Sequence, residues 1–145
     1  MRWGLVPFWA KDARIGLNAV NARAEDAATK PAFREAFKKR RCLVPADAFY
    51  EWQRLGTKAW RPFAFALQSG EPYAFARLWE SWQPAEGVPL ETYTILTTTP
   101  NPLMEPIHNR MPVIVETKNY DHWLDTSSAS PLDLLHPYPA EQMRA

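Results

Sequence analysis

Residues 62–82 read PFAFALQSGEPYAFARLWESW. Phe63, Phe65 and Leu67 occupy every second position, and Tyr73, Phe75 and Trp79 keep the same parity after a break at residues 69–72. Successive side chains of a strand point to opposite faces, so this spacing predicts two strands, each with one apolar face, joined by a turn.

Working outward, ETYTILTTTP (residues 91–100) reads as a strand with threonines on alternate positions, and MPVIV (111–115) as another. Upstream, RCLVPADAFYEW (41–52) predicts one or two buried strands with a kink at Pro45, and RLGTKAW (54–60) a hairpin loop. RWGLVPFW (2–9) predicts a short strand stopped at Pro7, KDARIG (11–16) a polar loop, and LNAVNARAED (17–26) an extended stretch that then turns. TKPAFREAFKKRR (29–41) predicts a helix with Pro31 in its first turn, where its missing donor costs least. Phe33, Ala36 and Phe37 give that helix one apolar face. Thr117 is expected to cap a second helix, with Tyr120, Trp123 and Leu124 as its apolar stripe. From Thr126 the pattern weakens into an irregular tail, in which HPYP suits a packed extended segment. The fold class expected is α+β: one domain over residues 1–145 with a mostly antiparallel, barrel-like sheet and a few peripheral helices.

Bulk properties narrow the function classes. A chain of 145 residues builds one core. The 14 prolines imply short strands and many turns rather than a helical bundle. No apolar run is long enough to span a bilayer and no signal-peptide pattern opens the sequence, so a cytoplasmic or nucleoid location is expected. A net charge of +1 means that nucleic-acid binding would need a local patch. The single cysteine, Cys42, excludes an intrachain disulfide and a zinc site of paired cysteines.

Three polar residues stand in apolar surroundings: Asn21 in AVNARAE, Glu51 in AFYEW and His108 in PIHNRMP. A carboxylate flanked by aromatics is desolvated, which raises its pKa and suits acid–base work. A histidine exchanges protons near neutral pH. An asparagine orients a substrate oxygen without adding charge. Each also has a plainer reading. Glu51 can point to solvent opposite its aromatic neighbours, His108 can cap backbone at a loop–strand junction, and Asn21 can serve a turn. Arg23 and Arg110 fit surface ion pairs as well as anion contacts. Cys42, in RCLVP, reads as an apolar core residue rather than a nucleophile. The run Lys38–Arg41 ends a helix, where cations complement the dipole.

Taken in order, WGLVPFWAKD, VNARAED, KPAFREAF, RRCLVPADAFYEW, LWESW and IHNRMPVIV resemble the SRAP domain family, from Arg2 to about Leu124. These are SOS-response-associated peptidase proteins that process abasic sites in single-stranded DNA. The resemblance implies covalent chemistry: an N-terminal cysteine, exposed by methionine removal, attacks the ring-opened aldehyde of an abasic site and closes a thiazolidine. It also implies roles. His108 assists sugar ring opening, Glu51 handles protons at the amine, and Asn21 holds the amine and the sugar. Arg23 contacts phosphate, Trp9 stacks or wedges at the DNA groove, and Thr97 lies near the substrate backbone; Arg110 joins this DNA-binding set. No cofactor or metal is implied, and the partner implied is abasic single-stranded DNA.

The chain also departs from the family. Members begin Met-Cys-Gly-Arg and reach the WGL motif only after a substantial stretch, whereas Arg2 follows Met1 here. Cys42 is internal and has no free α-amine. The expectation is a chain shortened at its N-terminus, with uncovered sheet edges through which it self-associates. Ala48 stands where the family usually has glycine, which would strain a positive-φ position. Alternatives are a noncovalent single-stranded DNA-binding module or inactive paralogue, and a hydrolase using Cys42 with His108. A metal site from Glu51, His108 and His136 has no ligand-spacing motif behind it. His122 is expected on the polar side of its helix.

Overall fold

In the computed structural model, which describes residues 1–127 and 130–145, short elements follow one another closely. The strands are β1 (Arg2–Trp3), β2 (Asn21–Arg23), β3 (Arg41–Ala46), β4 (Phe49–Leu55) and β5 (Ala59–Leu67). They continue with β6 (Tyr73–Trp82), β7 (Leu90–Thr98), β8 (Met111–Pro112), β9 (Ile114–Val115) and β10 (Met143–Arg144). The α-helices are α1 (Ala24–Ala27), α2 (Arg34–Lys39) and α3 (Tyr120–Leu124). The larger sheet runs β1-β7-β6-β3, with β2 and β8 also on β7 and β9 on β6; the smaller runs β10-β5-β4. The ladders are antiparallel except where β1 and β2 meet β7 in parallel.

Residues 62–82 contribute to β5 and form β6, as their spacing predicts, but β6 does not bury one face only. Tyr73 and Phe75 enter a cluster with Phe65, Met104 and Met111. Ala76 and Leu78 enter a second cluster with Phe37, Leu96 and Trp123. A central strand covered on both sides loses the simple alternation. The fully buried Leu78 therefore outranks Trp79, which is only half-buried. On β7 the alternating threonines point inward: Thr92 and Thr94 are fully buried, and Thr92 Oγ1 accepts from the Val6 N–H at 2.9 Å.

Strands β6 and β7 pair only from Arg77↔Ile95 to Trp82↔Leu90. Beyond that they part, and the β8–β9 segment enters between them. The Val113 N–H donates to Leu96 O and the Ala76 N–H donates to Val113 O, both at 2.9 Å. Val113, Ile114 and Val115 are at most 3% exposed, as a β-branched run buried on both sides must be. This insertion places residues 108–110 at the mouth of the split.

Several local expectations are corrected. Pro45 makes no break: the β3–β6 ladder runs unbroken from Arg41↔Leu78 to Ala46↔Tyr73. Strand β3 ends the sheet order, and an edge strand needs no donor on its outer side. The helix predicted from Thr29 begins only at Arg34, after turns through Phe33, although Phe33, Ala36 and Phe37 are all buried as their spacing requires. Arg41, at its end, donates to the carbonyls of Phe37 (2.8 Å) and Trp123 (2.6 Å), so one cation serves the C-termini of α2 and α3. Thr117 caps nothing. It is the first residue of a short 3-10 turn, and Leu124 is exposed because α3 is too short to bury a full stripe.

Residues 11–16 are less loop-like than expected, since Asp12 caps a 3-10 helix over Ala13–Asn18. The first strand ends at Trp3 because Gly4 (φ +103°) turns the chain against Gly16; a Cβ on Gly4 would sit 2.4 Å from the Gly16 carbonyl oxygen. Ala48 carries no such strain, because no non-glycine residue among those described has positive φ. Most of the tail is irregular, but its end is tied down: β10 pairs with β5, and Tyr138 and Met143 are buried.

Candidate functional site

Along β4, Phe49, Glu51 and Gln53 turn inward while Tyr50 and Trp52 are exposed. Phe49 sets this orientation, stacking on Phe65 at 5.1 Å and meeting Phe75 edge-on at 5.8 Å. Glu51 therefore faces a cleft, the reverse of the solvent-pointing reading, while the exposed Tyr50 and Trp52 lie at its rim. Burial pushes the Glu51 carboxyl above its usual range, opposed by the charge of His108 and the Trp52 backbone.

His108 arrives by a turn that a buried asparagine organises. Asn101 Oδ1 accepts from the Met104 N–H at 3.0 Å, and its amide donates to Tyr138 O at 2.8 Å. The His108 N–H then closes onto Met104 O at 3.0 Å. Its ring nitrogen Nδ1 lies 3.9 Å from Glu51 Oε1. The same nitrogen is 2.9 Å from Arg110 O and 3.2 Å from Arg110 N. Arg110 spends its guanidinium on Glu25, with bonds of 2.9 and 2.8 Å to the two carboxylate oxygens, and on the Thr97 carbonyl.

The cleft has a volume of about 520 Å³. Asn21, Glu51, Thr97, His108 and Arg110 supply its polar lining; Trp3, Tyr50, Trp52, Phe75 and Pro112 are among its apolar residues. The fold thus brings together all three acid–base and positioning candidates, Asn21, Glu51 and His108, from β2, β4 and the turn before β8. Thr97 also lines the cleft, but is buried. Arg23 lies exposed two residues beyond Asn21 on the same face of β2, outside the lining. Trp9 is half-exposed and likewise outside it; the tryptophans that line the cleft are Trp3 and Trp52. Trp3 is held there by donating to Val20 O at 2.6 Å and by stacking with Tyr93.

The sequence reading missed this aromatic rim. Tyr50 and Trp52 flank Glu51 in the sequence, but strand alternation alone puts them on the opposite face of β4, so spacing does not reveal their place at the rim. Glu25 offered no signal, because its partner Arg110 is distant in the chain.

Cys42 is half-buried on β3, its thiol pushed up by burial, and it does not line the cleft. His122 pairs with Asp133 at 3.3 Å. Among the described residues no group of three His, Cys, Asp or Glu side chains converges as a metal site.

A pH effect follows from Glu51. A carboxyl whose value is raised by folding is bound more tightly by its proton in the native state. Ionising it costs native stability once pH exceeds the ordinary value of 4.5, and the cost grows until the raised value is passed. Glu51→Gln should therefore raise the melting temperature at neutral pH, with the gain vanishing below about pH 4. A gain independent of pH, measured by thermal melts across that range, would refute the carboxyl's burial as the cause.

Residues 1–145 match the family described as SOS response associated peptidase (SRAP). Among curated proteins, the chain is 49% identical over 148 residues to "Abasic site processing protein YoqW" of Bacillus subtilis (strain 168), covering 100% of this chain and 66% of that one. It is 32% identical over 170 residues to "Abasic site processing protein HMCES" of Rattus norvegicus, covering 94% of this chain and 48% of the relative. The chain thus spans just under two thirds of the length of YoqW and about half that of the rat protein. A crystal structure of a Bacteroides thetaiotaomicron protein superposes with a TM-score of 0.92 at 32% identity, over 98% of this chain and 65% of that one. With residues 1–145 matched to the family and the fold shared, the chain belongs to the SOS response associated peptidase (SRAP) family.

Proposed function

We propose that the cleft receives an abasic sugar of single-stranded DNA and opens its ring for covalent capture. The observation that carries this reading is the facing of Glu51 and His108 at 3.9 Å inside an aromatic-rimmed cleft. Opening a hemiacetal removes a proton from the C1′ hydroxyl and places one on the ring oxygen as the C1′–O4′ bond breaks. An imidazole beside a carboxyl whose proton burial holds more tightly suits both transfers. Asn21 offers an uncharged amide to the sugar, and Trp3, Tyr50 and Trp52 offer faces on which flanking bases stack. Arg23 supplies a cation for phosphate. The names of the relatives, abasic site processing proteins, support the same substrate class.

In the chemistry of the family, an N-terminal cysteine then acts. Its amine condenses with the aldehyde and releases water, and its thiol adds to the imine carbon to close the thiazolidine. The test mixes abasic single-stranded DNA with this chain carrying an added Met-Cys-Gly segment of the family, followed by denaturing electrophoresis. A band that survives denaturation with abasic but not intact DNA is the expected result. Its absence overturns covalent processing.

The exposed rim favours a second reading, noncovalent binding of single strands. That predicts retention on native gels that weakens steeply with salt and disappears on denaturation.

A further inference from the structure

We propose that Glu25 is a positioning residue of this site, acting through Arg110 on His108; the proposal deepens the reading above and rests on it. Arg110 is held at three points. Its guanidinium makes a two-pronged contact with Glu25 on α1 (2.9 and 2.8 Å), and it donates to the Thr97 carbonyl on β7. Such a fork fixes orientation as well as distance.

What this clamp holds still is a stretch of backbone. The N–H and the C=O of Arg110 both face His108 Nδ1, at 3.2 and 2.9 Å. When Nδ1 has no proton, it accepts from the Arg110 N–H. When it has one, it donates to the Arg110 carbonyl. Either neutral tautomer, and the cation, thus finds a partner at Nδ1 without movement of the ring. Among the described residues Nε2 has no protein partner, so it is the nitrogen left to take a proton from the sugar hydroxyl or give one to the ring oxygen. A site that must do both needs the Arg110 backbone to stay put, and Glu25 is the anchor.

Stability gives a weaker reason for the pair. Glu25 is half-exposed and such pairs contribute little.

The experiment compares wild type with Glu25→Gln in two arms. In the first, ¹⁵N-histidine NMR of the unextended chain reads the ring nitrogens, with His108→Gln for assignment. The His108 resonances should move, while those of His122 and His136 hold and the melting temperature changes little. In the second, the Met-Cys-Gly-extended chain should crosslink about tenfold more slowly, as a misplaced catalytic group does, with DNA affinity equal or tighter. Unmoved His108 resonances, or an unchanged crosslinking rate, overturn the proposal. Should Glu25→Gln fail to fold, Arg110→Lys removes the fork and is read the same way. If even the extended wild type does not crosslink, the functional reading fails, and the NMR arm alone still decides whether Glu25 positions His108.

Discussion

Glutamine in place of His108 should slow crosslinking of abasic single-stranded DNA on the order of 10²–10⁴-fold in the Met-Cys-Gly-extended chain. The glutamine amide can still bond to the Arg110 backbone that now holds Nδ1. It cannot gain or lose a proton near neutral pH, so only the transfer step is removed. The side chain is 42% exposed, and its loss opens no buried void. Binding of DNA, read by native gel, should therefore persist while the single-turnover rate falls. An unchanged rate would remove His108 from the chemistry and leave the cleft a binding site. A preformed aldehyde substrate, which needs no ring opening, should restore most of the lost rate; failure to do so would move the role of His108 to a later step.

Trp123→Ala should be the most damaging substitution in the core. The indole is fully buried and meets Phe37 edge-on at 6.1 Å. Its N–H donates to Cys42 O at 2.9 Å, and its own carbonyl receives Arg41. Truncating a buried aromatic to alanine costs about 3–5 kcal/mol, against a total of about 5–15 kcal/mol for a domain. Chemical denaturation should show a midpoint shifted far down, with part of the population unfolded at 37 °C. Trp123→Phe separates the causes. It refills most of the volume but leaves the Cys42 carbonyl without its donor, a loss of about 1–3 kcal/mol. A cost below about 1 kcal/mol for Trp123→Ala would mean that α3 does not anchor the helical side of the core.

Much of the fold was legible in short-range pattern. The alternation in residues 62–82 specifies β5 and β6 and the turn between them, because side-chain direction along a strand depends only on neighbouring residues. The spacing of Phe33, Ala36 and Phe37 likewise marks one buried face, even though the helix around them is shorter than predicted. Where the reading failed, a distant element or the length of the element itself decided. Leu78 is fully buried and Trp79 only half-buried because β6 is covered on both faces. Leu124 is exposed because a five-residue helix cannot cover its whole stripe.

The site divides in the same way. Asn21, Glu51 and His108 stood out in the sequence because polar residues in apolar surroundings are costly to bury and need a reason to be there. Composition alone also set the bounds: one cysteine, a near-neutral charge and no bilayer-length apolar run. The tertiary structure decided which way Glu51 points, through the packing of Phe49 on Phe65 and Phe75. It placed Trp3 and Trp52, not Trp9, in the cleft, and it paired Arg110 with Glu25. These outcomes depend on contacts between residues far apart in the chain, above all on the insertion of β8–β9 between β6 and β7. Local periodicity carries no information about which distant strand will fill such a gap, because that is settled by packing and hydrogen bonding across the whole sheet.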